Sequence, residues 1–190
     1  DVASVLAGGA NVLTKVGDGD LTAGMLGGAN VITHISGDNE TSNTTAVALG
    51  GANILTKKGK GNALAVMGGG ANVLTHVGDG TTTGVMVGGA NILTKVGNGD
   101  TTGIMLGVGN VLTHVGDGQT LGVMLAKGNV ATKVGNGTTL AAMVGNANIF
   151  THVGSGSTFA AMIGQANIMT KVGDDLTAAL MVGKANIYTH

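Results

Sequence analysis

The stretch GGANVLTKVGDG (8–19) returns nineteen residues later as GGANVITHISGD (27–38), and copies of it run to the last residue of the chain. Asn recurs at Asn11, Asn30, Asn53, Asn72, Asn91, Asn110, Asn129, Asn148, Asn167 and Asn186, every step being nineteen residues except one of twenty-three. Such self-similarity is the mark of a repeat architecture and decides how the rest is read. The four extra residues fall in SGDNETSNTTA (36–46), a polar stretch that reads as a loop insertion in a single repeat array over 1–190. Because the array starts and stops in mid-repeat, the chain reads as a fragment of a larger protein.

Three residues after each Asn stands a Thr: Thr14, Thr33, Thr56, Thr75, Thr94, Thr113, Thr132, Thr151, Thr170 and Thr189. The next residue alternates without exception, as Lys15, His34, Lys57, His76, Lys95, His114, Lys133, His152, Lys171 and His190, so the chemical period is a 38-residue Lys/His double repeat. Each unit then carries V-G-(D/N)-G, a polar turn and a small-x-Met segment, with Met25, Met67, Met86, Met105, Met124, Met143, Met162 and Met181.

The extended segments are short, rich in Val, Ile and Thr, and bounded by glycine, which favours strands over helices. The chain has 37 Gly, no Pro, Cys or Trp, 43% hydrophobic residues and only 10% charged ones. That composition opposes disorder. Absence of Cys excludes a disulfide framework and thiolate chemistry, and a net charge of −1 gives no electrostatic footprint for nucleic acid. The predicted fold is all-β: a parallel β-solenoid, β-roll-like, with about 19 residues per coil in two short strands, stacked at about 4.8 Å. An antiparallel meander would explain the glycines but not the alternation, since it brings no equivalent positions into a column.

Stacking places the Asn series and the Thr series in columns able to form hydrogen-bonded ladders. In the strand ANVLTKV (10–16), Val12, Thr14 and Val16 share one face and Asn11, Leu13 and Lys15 the other. The charge of Lys predicts that its face is wet, with the Val and Thr series inward. On the second strand, Met and the Gly or Ala two residues before it are expected to face in. Alternation of His with Lys doubles the separation of fixed charges at neutral pH.

On this reading His34, His76, His114, His152 and His190 form a candidate pH-responsive column. Spaced by two coils, roughly 9.6 Å at the strand spacing, they are too far apart to share one zinc. The residues two before each Lys or His, namely Leu13, Ile32, Leu55, Leu74, Leu93, Leu112, Ala131, Phe150, Met169 and Tyr188, would then form an exposed apolar stripe suited to a membrane, a partner or self-association. Aliphatics at Leu26, Val87, Leu106, Leu125, Val144, Ile163 and Val182 line the second strand similarly.

The turns resemble calcium-binding nonapeptides in composition, but the spacing differs and Asp18, Asp79, Asp117 and Asp174 give way to Lys60, Asn98, Asn136 and Ser155 in other copies. No cofactor is expected, with calcium at these turns as the alternative. No G-K-[ST] phosphate loop follows the glycines, and an evenly distributed repeat gathers no catalytic constellation, so the chain is read as non-enzymatic. One Thr per strand, flanked by Lys or His, makes a poor ice-binding grid.

The units GGANVLTHVGDG and GGANILTKVGNG, with T-x-V-G-x-G, closely resemble the glycine-rich repeats of multifunctional autoprocessing repeats-in-toxin (MARTX) toxins of Vibrio and related bacteria. The resemblance covers the whole chain and recurs about ten times. Departures are TKKGKG with Lys58 and Lys60, the insertion, and Gly109 and Gly128 in place of Ala. It implies a non-enzymatic arm of a secreted toxin that engages the host-cell membrane and supports pore formation and translocation of effector domains, alongside the rest of the parent toxin. The alternative is an adhesin-like stalk binding a protein or glycan partner.

Overall fold

Glycine clusters punctuate the chain, and the extended segments between them stack on one another. The computed structural model describes residues 1–37 and 40–190. Six fifteen-residue strands come first: β1 (Val2–Val16), β2 (Leu21–Ile35), β3 (Thr44–Lys58), β4 (Ala63–Val77), β5 (Thr82–Val96) and β6 (Thr101–Val115). In the last four coils the same path is divided, into β7 (Thr120–Leu125) and β8 (Gly128–Val134), β9 (Thr139–Val144) and β10 (Ala147–Val153), β11 (Thr158–Ile163) and β12 (Ala166–Val172), and β13 (Thr177–Val182) and β14 (Ala185–Thr189). All pairings are parallel and join like residues of consecutive units, as Asn11 with Asn30, Lys15 with His34, and Met67 with Met86. The fold is therefore an all-β parallel solenoid of about ten coils, close to nineteen residues each.

Each coil has two legs joined by a corner, which holds glycine in every coil but the one turning at Ala126 and Lys127. Inward residues of the second coil are Leu21, Ala23 and Met25 on the Met leg, then Asn30, Ile32 and His34 on the Asn leg. Alternation changes phase between Met25 and Asn30, because the chain turns at Gly27 and Gly28. Successive corners touch: a Cβ on Gly50 would lie 1.7 Å from the Gly27 carbonyl oxygen, so any side chain there collides with the coil below. At the opposite turn Gly78 has φ +142°, which favours glycine.

The two legs meet in three tiers. Asn lies beside Met, where Asn110 Nδ2 donates to the Met105 carbonyl at 3.0 Å. The large aliphatic faces the small residue: a Cβ on Gly84 would sit 2.6 Å from Leu93 Cδ1. Lys or His faces the first inward residue of the Met leg, as His114 faces Thr120. The requirement for Gly or Ala is thus set by the Leu column opposite. Ala131 leaves a gap in that column, and the larger Phe150 in the next coil helps close it, leaving no room for water.

The Met and small columns point inward as expected, but the Asn leg is reversed from the sequence-based expectation. Leu13, Ile32, Leu55, Leu74, Leu93, Leu112, Ala131, Phe150 and Met169 belong to the core or pack against it, so they form no surface stripe. Tyr188 is exposed, in the last coil. The Val12 and Thr14 series face outward instead, and the threonines of that series join no side-chain ladder among the described residues. The physical reason is that lysine does not need water when main-chain carbonyls lie within reach of its ammonium group.

Asn is the side chain that closes the stack. From Asn11 to Asn186 each Nδ2 donates to the Oδ1 of the next coil, at 2.7–3.1 Å, without a break. The second amide hydrogen reaches the carbonyl of the residue after the Met position one coil on, as Asn72 to Val87 at 3.1 Å. That carbonyl also accepts a main-chain N–H, as Ile163 O does from Gly145 N–H at 2.9 Å beside Asn148 Nδ2 at 3.1 Å, so the side-chain amide is a second donor that doubles the link at the corner.

The insertion leaves stacking intact. Ser36 N–H donates to Lys58 O at 3.0 Å and Ser42 N–H to Lys60 O at 3.1 Å, the places held by Gly59 and Gly61 one coil later. The additional residues lie between these serines; Asp38 and Asn39 of the 36–46 insertion lie outside the described residues. At Gly109 and Gly128 no atom lies within 4 Å of the place a methyl group would take, so the loss of the usual Ala leaves no clash or contact to account for it.

Replacing Asn91 by Leu leaves one hydrogen of the Asn72 amide and the Asn110 oxygen without their partner. With about 1–3 kcal/mol for each buried orphan, a loss of about 2 kcal/mol or more is expected in urea unfolding, against less than about 0.5 kcal/mol for Thr94→Ser on the outer face.

Candidate functional site

The strand alternation that buries Asn and Leu also buries the next inward residue, and in this chain that residue is a cation or an imidazole. Lys57, His76, Lys95, His114, Lys133, His152 and Lys171 are all 0% exposed, His34 likewise, and Lys15 is 7% exposed. His190, in the last coil, is exposed. The column expected at the surface is therefore an interior row.

Its charges are met by carbonyls of the glycine turns. Lys15 Nζ donates to Gly17 O at 2.8 Å and Asp18 O at 2.6 Å. Lys57 Nζ reaches Gly59 O at 3.1 Å and Lys60 O at 2.9 Å. Lys95, Lys133 and Lys171 instead reach down one coil to Gly78 O, Gly116 O and Gly154 O. The V-G-x-G turn is thus an ammonium cradle as well as a reversal.

The histidines sit between the lysines and stay neutral. Nδ1 of His34, His76, His114 and His152 lies 2.6–2.7 Å from the hydroxyl of Thr44, Thr82, Thr120 and Thr158. Nε2 of His76 and His152 lies 3.3 and 3.2 Å from the carbonyls of Gly59 and Gly135. A carbonyl only accepts, which assigns the proton to Nε2 in these two and leaves Nδ1 to accept from Thr. Burial first, and then the flanking lysines, push His76 and His114 down to about 4. Burial is also the main cause lowering His34 and His152.

Burial pushes Lys57, Lys95 and Lys133 down to about 8, with Lys95 adding to the effect on Lys57 while Asp79 opposes it at Lys95. A neutral imidazole between two ammonium groups doubles their separation. At an effective dielectric of about 20, repulsion of about 3.5 kcal/mol at one coil spacing falls to about 1.7 kcal/mol at two.

One feature of the row escaped sequence reasoning. The inward position after each His is always Thr, at Thr44, Thr82, Thr120 and Thr158, whereas after Lys it is Leu21, Ala63, Thr101, Thr139 or Thr177. Of these last, Thr101, Thr139 and Thr177 have hydroxyls without a partner in the chain. Only imidazole needs the hydroxyl. The pairing was visible as a Thr six residues after every His but the one before the insertion, where it is ten, and the last.

At the turn edge, Asp79 Oδ1 accepts from Asn98 N–H at 2.8 Å, Asn98 Oδ1 from Asp117 N–H at 3.0 Å, and Asp117 Oδ1 from Asn136 N–H at 2.7 Å. This outer ladder needs an oxygen, not a charge, which explains the exchange of Asp for Asn between copies. Among the described residues no group of three or more His, Cys, Asp or Glu is arranged to hold a metal.

With lysine drawn inside and acids confined to the turns, the outer faces are almost without charge. The Met-leg face carries Leu26, Leu49, Val87, Leu106, Leu125 and Ile163, all exposed. The Asn-leg face carries Val and Ile columns on either side of Thr, with Lys58 as its one ion among the described residues.

A family model described as the RtxA repeat matches ten successive segments, residues 7–22, 25–42, 48–65, 67–84, 86–103, 105–122, 124–141, 143–160, 162–179 and 181–190. The chain belongs to the RtxA repeat family. No curated protein and no solved structure matches it. RtxA repeats mark a repeat region of RTX-type toxins, which are typically secreted, and such solenoid repeats are typically non-catalytic. The matched segments start near the end of a Met leg and run through the corner and the Asn leg, all but the last going on into the turn or the start of the next Met leg, so the RtxA repeat has the length of one coil of the solenoid.

Two outcomes are expected. Thr82→Val orphans His76 Nδ1 and costs about 1–3 kcal/mol in urea unfolding, whereas Thr139→Val, removing a hydroxyl that has no partner, is neutral or stabilising. Between pH about 6.5 and 4 the unfolded histidines bind protons that the folded ones refuse, so stability falls as pH falls through that window. Between about 8 and 10.5 the folded lysines release protons first, so stability rises with pH there. The urea midpoint measured against pH checks both limbs.

Proposed function

We propose that this solenoid is a non-enzymatic stretch of the repeat arm of a secreted RTX-type toxin of the MARTX kind, lying against the target-cell membrane and supporting pore formation and delivery of effector domains. The observation that carries this reading is the Met-leg face. Its outward positions hold Leu, Val, Ile, Phe, Ala, Gly and Thr over the whole array and no ion, while acids and the outward lysines Lys60, Lys127 and Lys184 sit at the turns and corners. A lipid surface accepts such a face, since no charge need be desolvated.

The geometry favours lying on the bilayer over crossing it. A six-residue Met leg such as Thr120–Leu125 reaches about 20 Å at the strand rise, short of a hydrocarbon core of about 30 Å. Both ends of the leg are polar or turn-forming, so the leg sits parallel to the interface. A spanning state would need several chains or a rearranged backbone.

Flotation with vesicles of mixed neutral and anionic phospholipid tests the proposal. The chain is expected to float with the vesicles at neutral pH, and the pair Leu106→Lys with Leu125→Lys to cut the bound fraction at least tenfold while keeping the β circular-dichroism signature. A chain that stays at the bottom of the gradient would instead favour a stalk that binds a protein or glycan.

A further inference from the structure

The Asn-leg outer face differs from the Met-leg face in the place of its hydroxyls: a Thr stands in every coil, in the middle column, whereas on the Met leg Thr22, Thr45, Thr83 and Thr102 occupy four coils only, in the column beside the turn. Thr33, Thr56, Thr94 and Thr113 are half-buried between their Val and Ile neighbours, and the side-chain hydrogen bonds found among the described residues leave their hydroxyls free. Hydrocarbon would cover the aliphatic columns well but would strip water from one hydroxyl per coil with nothing in return. A surface with its own hydroxyls at the same spacing would not.

From this we infer that the Asn-leg face is an interface for a second copy of this chain, packed sheet against sheet. Pairing in strict register gives every outward column a repeat of about 4.8 Å along the rod. A second copy presents the same repeat, so ridges of one face fit between ridges of the other along the whole length, as in other dry sheet-to-sheet contacts. Because Thr is the central column, a twofold axis lying in the interface, along the rod or across it, sets Thr against Thr. Each hydroxyl then has both a donor and an acceptor opposite it.

Area and charge are compatible with a stable pair. Seven residues of Asn leg, as in Gly128–Val134, by ten coils give a face of about 1,100 Å² at the strand rise and spacing. Two such faces bury about 2,200 Å², the size of a stable homodimer interface. Lys58 is the one ion on the face among the described residues, and it lies in the column beside the turn, where its ammonium reaches solvent at the rim. This face is opposite to the one assigned to the membrane, so each assignment stands or falls separately.

Sedimentation velocity on the full chain provides the test, over about 1–100 μM, a span that covers ordinary dimer affinities. A species of twice the 18.4 kDa chain mass is expected. The pair Thr94→Lys with Thr113→Lys is expected to weaken it at least a hundredfold, and Leu106→Lys with Leu125→Lys to leave it unchanged. Lys58 shows that this face accepts an outward lysine within the fold, and circular dichroism confirms the fold of each variant. A monomer throughout the range, an open-ended series from end-to-end stacking, or a dimer lost equally in both variants would each overturn the proposal.

Discussion

The hydrogen bond from each Asn amide to the amide oxygen one coil on is the constraint from which the remaining geometry follows. It holds like above like at the corner, where the chain turns from one leg to the other. A slip by one residue would bring the Val or Ile after each Asn, or the small residue before it, to the place where Asn stands and break the amide column throughout. With the register held, every other position becomes a column, and a residue's chemistry must suit an identical or alternating neighbour about 4.8 Å above and below.

That demand accounts for the interior row. An unbroken column of buried lysines would place like charges at one coil spacing in a poorly screened interior, and an unbroken column of histidines would leave the turn carbonyls without their ammonium donors. Alternation meets both conditions. Lysine ties the turn carbonyls, while neutral histidine separates the charges and is itself tied to Thr on the other leg. The row therefore links the two legs and the turn at the level farthest from the Asn corner. The aliphatic and small columns fill the tier between these two polar tiers.

Drawing cations inside has a consequence for the outside. The outer faces are left with aliphatic and hydroxyl residues, and ions collect at the turns, where the Asp and Asn oxygens form their own ladder. A slab with two nearly uncharged faces and one charged edge presents broad, regular surfaces of different chemistry: one aliphatic, one with a central line of threonine. Extended contact is the form of function such a body can offer, in place of a pocket.

The nineteen-residue period, the glycine punctuation and the strict alternation were enough to establish stacked parallel coils, because only stacking makes equivalent positions of successive units neighbours. Sequence also identified the Asn column and the inward Met with its small companion. It did not determine which face of the Asn leg is buried. By side-chain polarity alone Lys15 belongs outside and Val12 inside, yet the structure reverses them. The deciding partners, carbonyls at Gly17, Asp18 and Gly78, are main-chain groups that no pattern of side chains displays. Period and stacking were thus written in the order of residues. The direction of the charge was settled only when the turn folded back over it, since an ammonium group is stable in an interior that supplies oxygens in place of water.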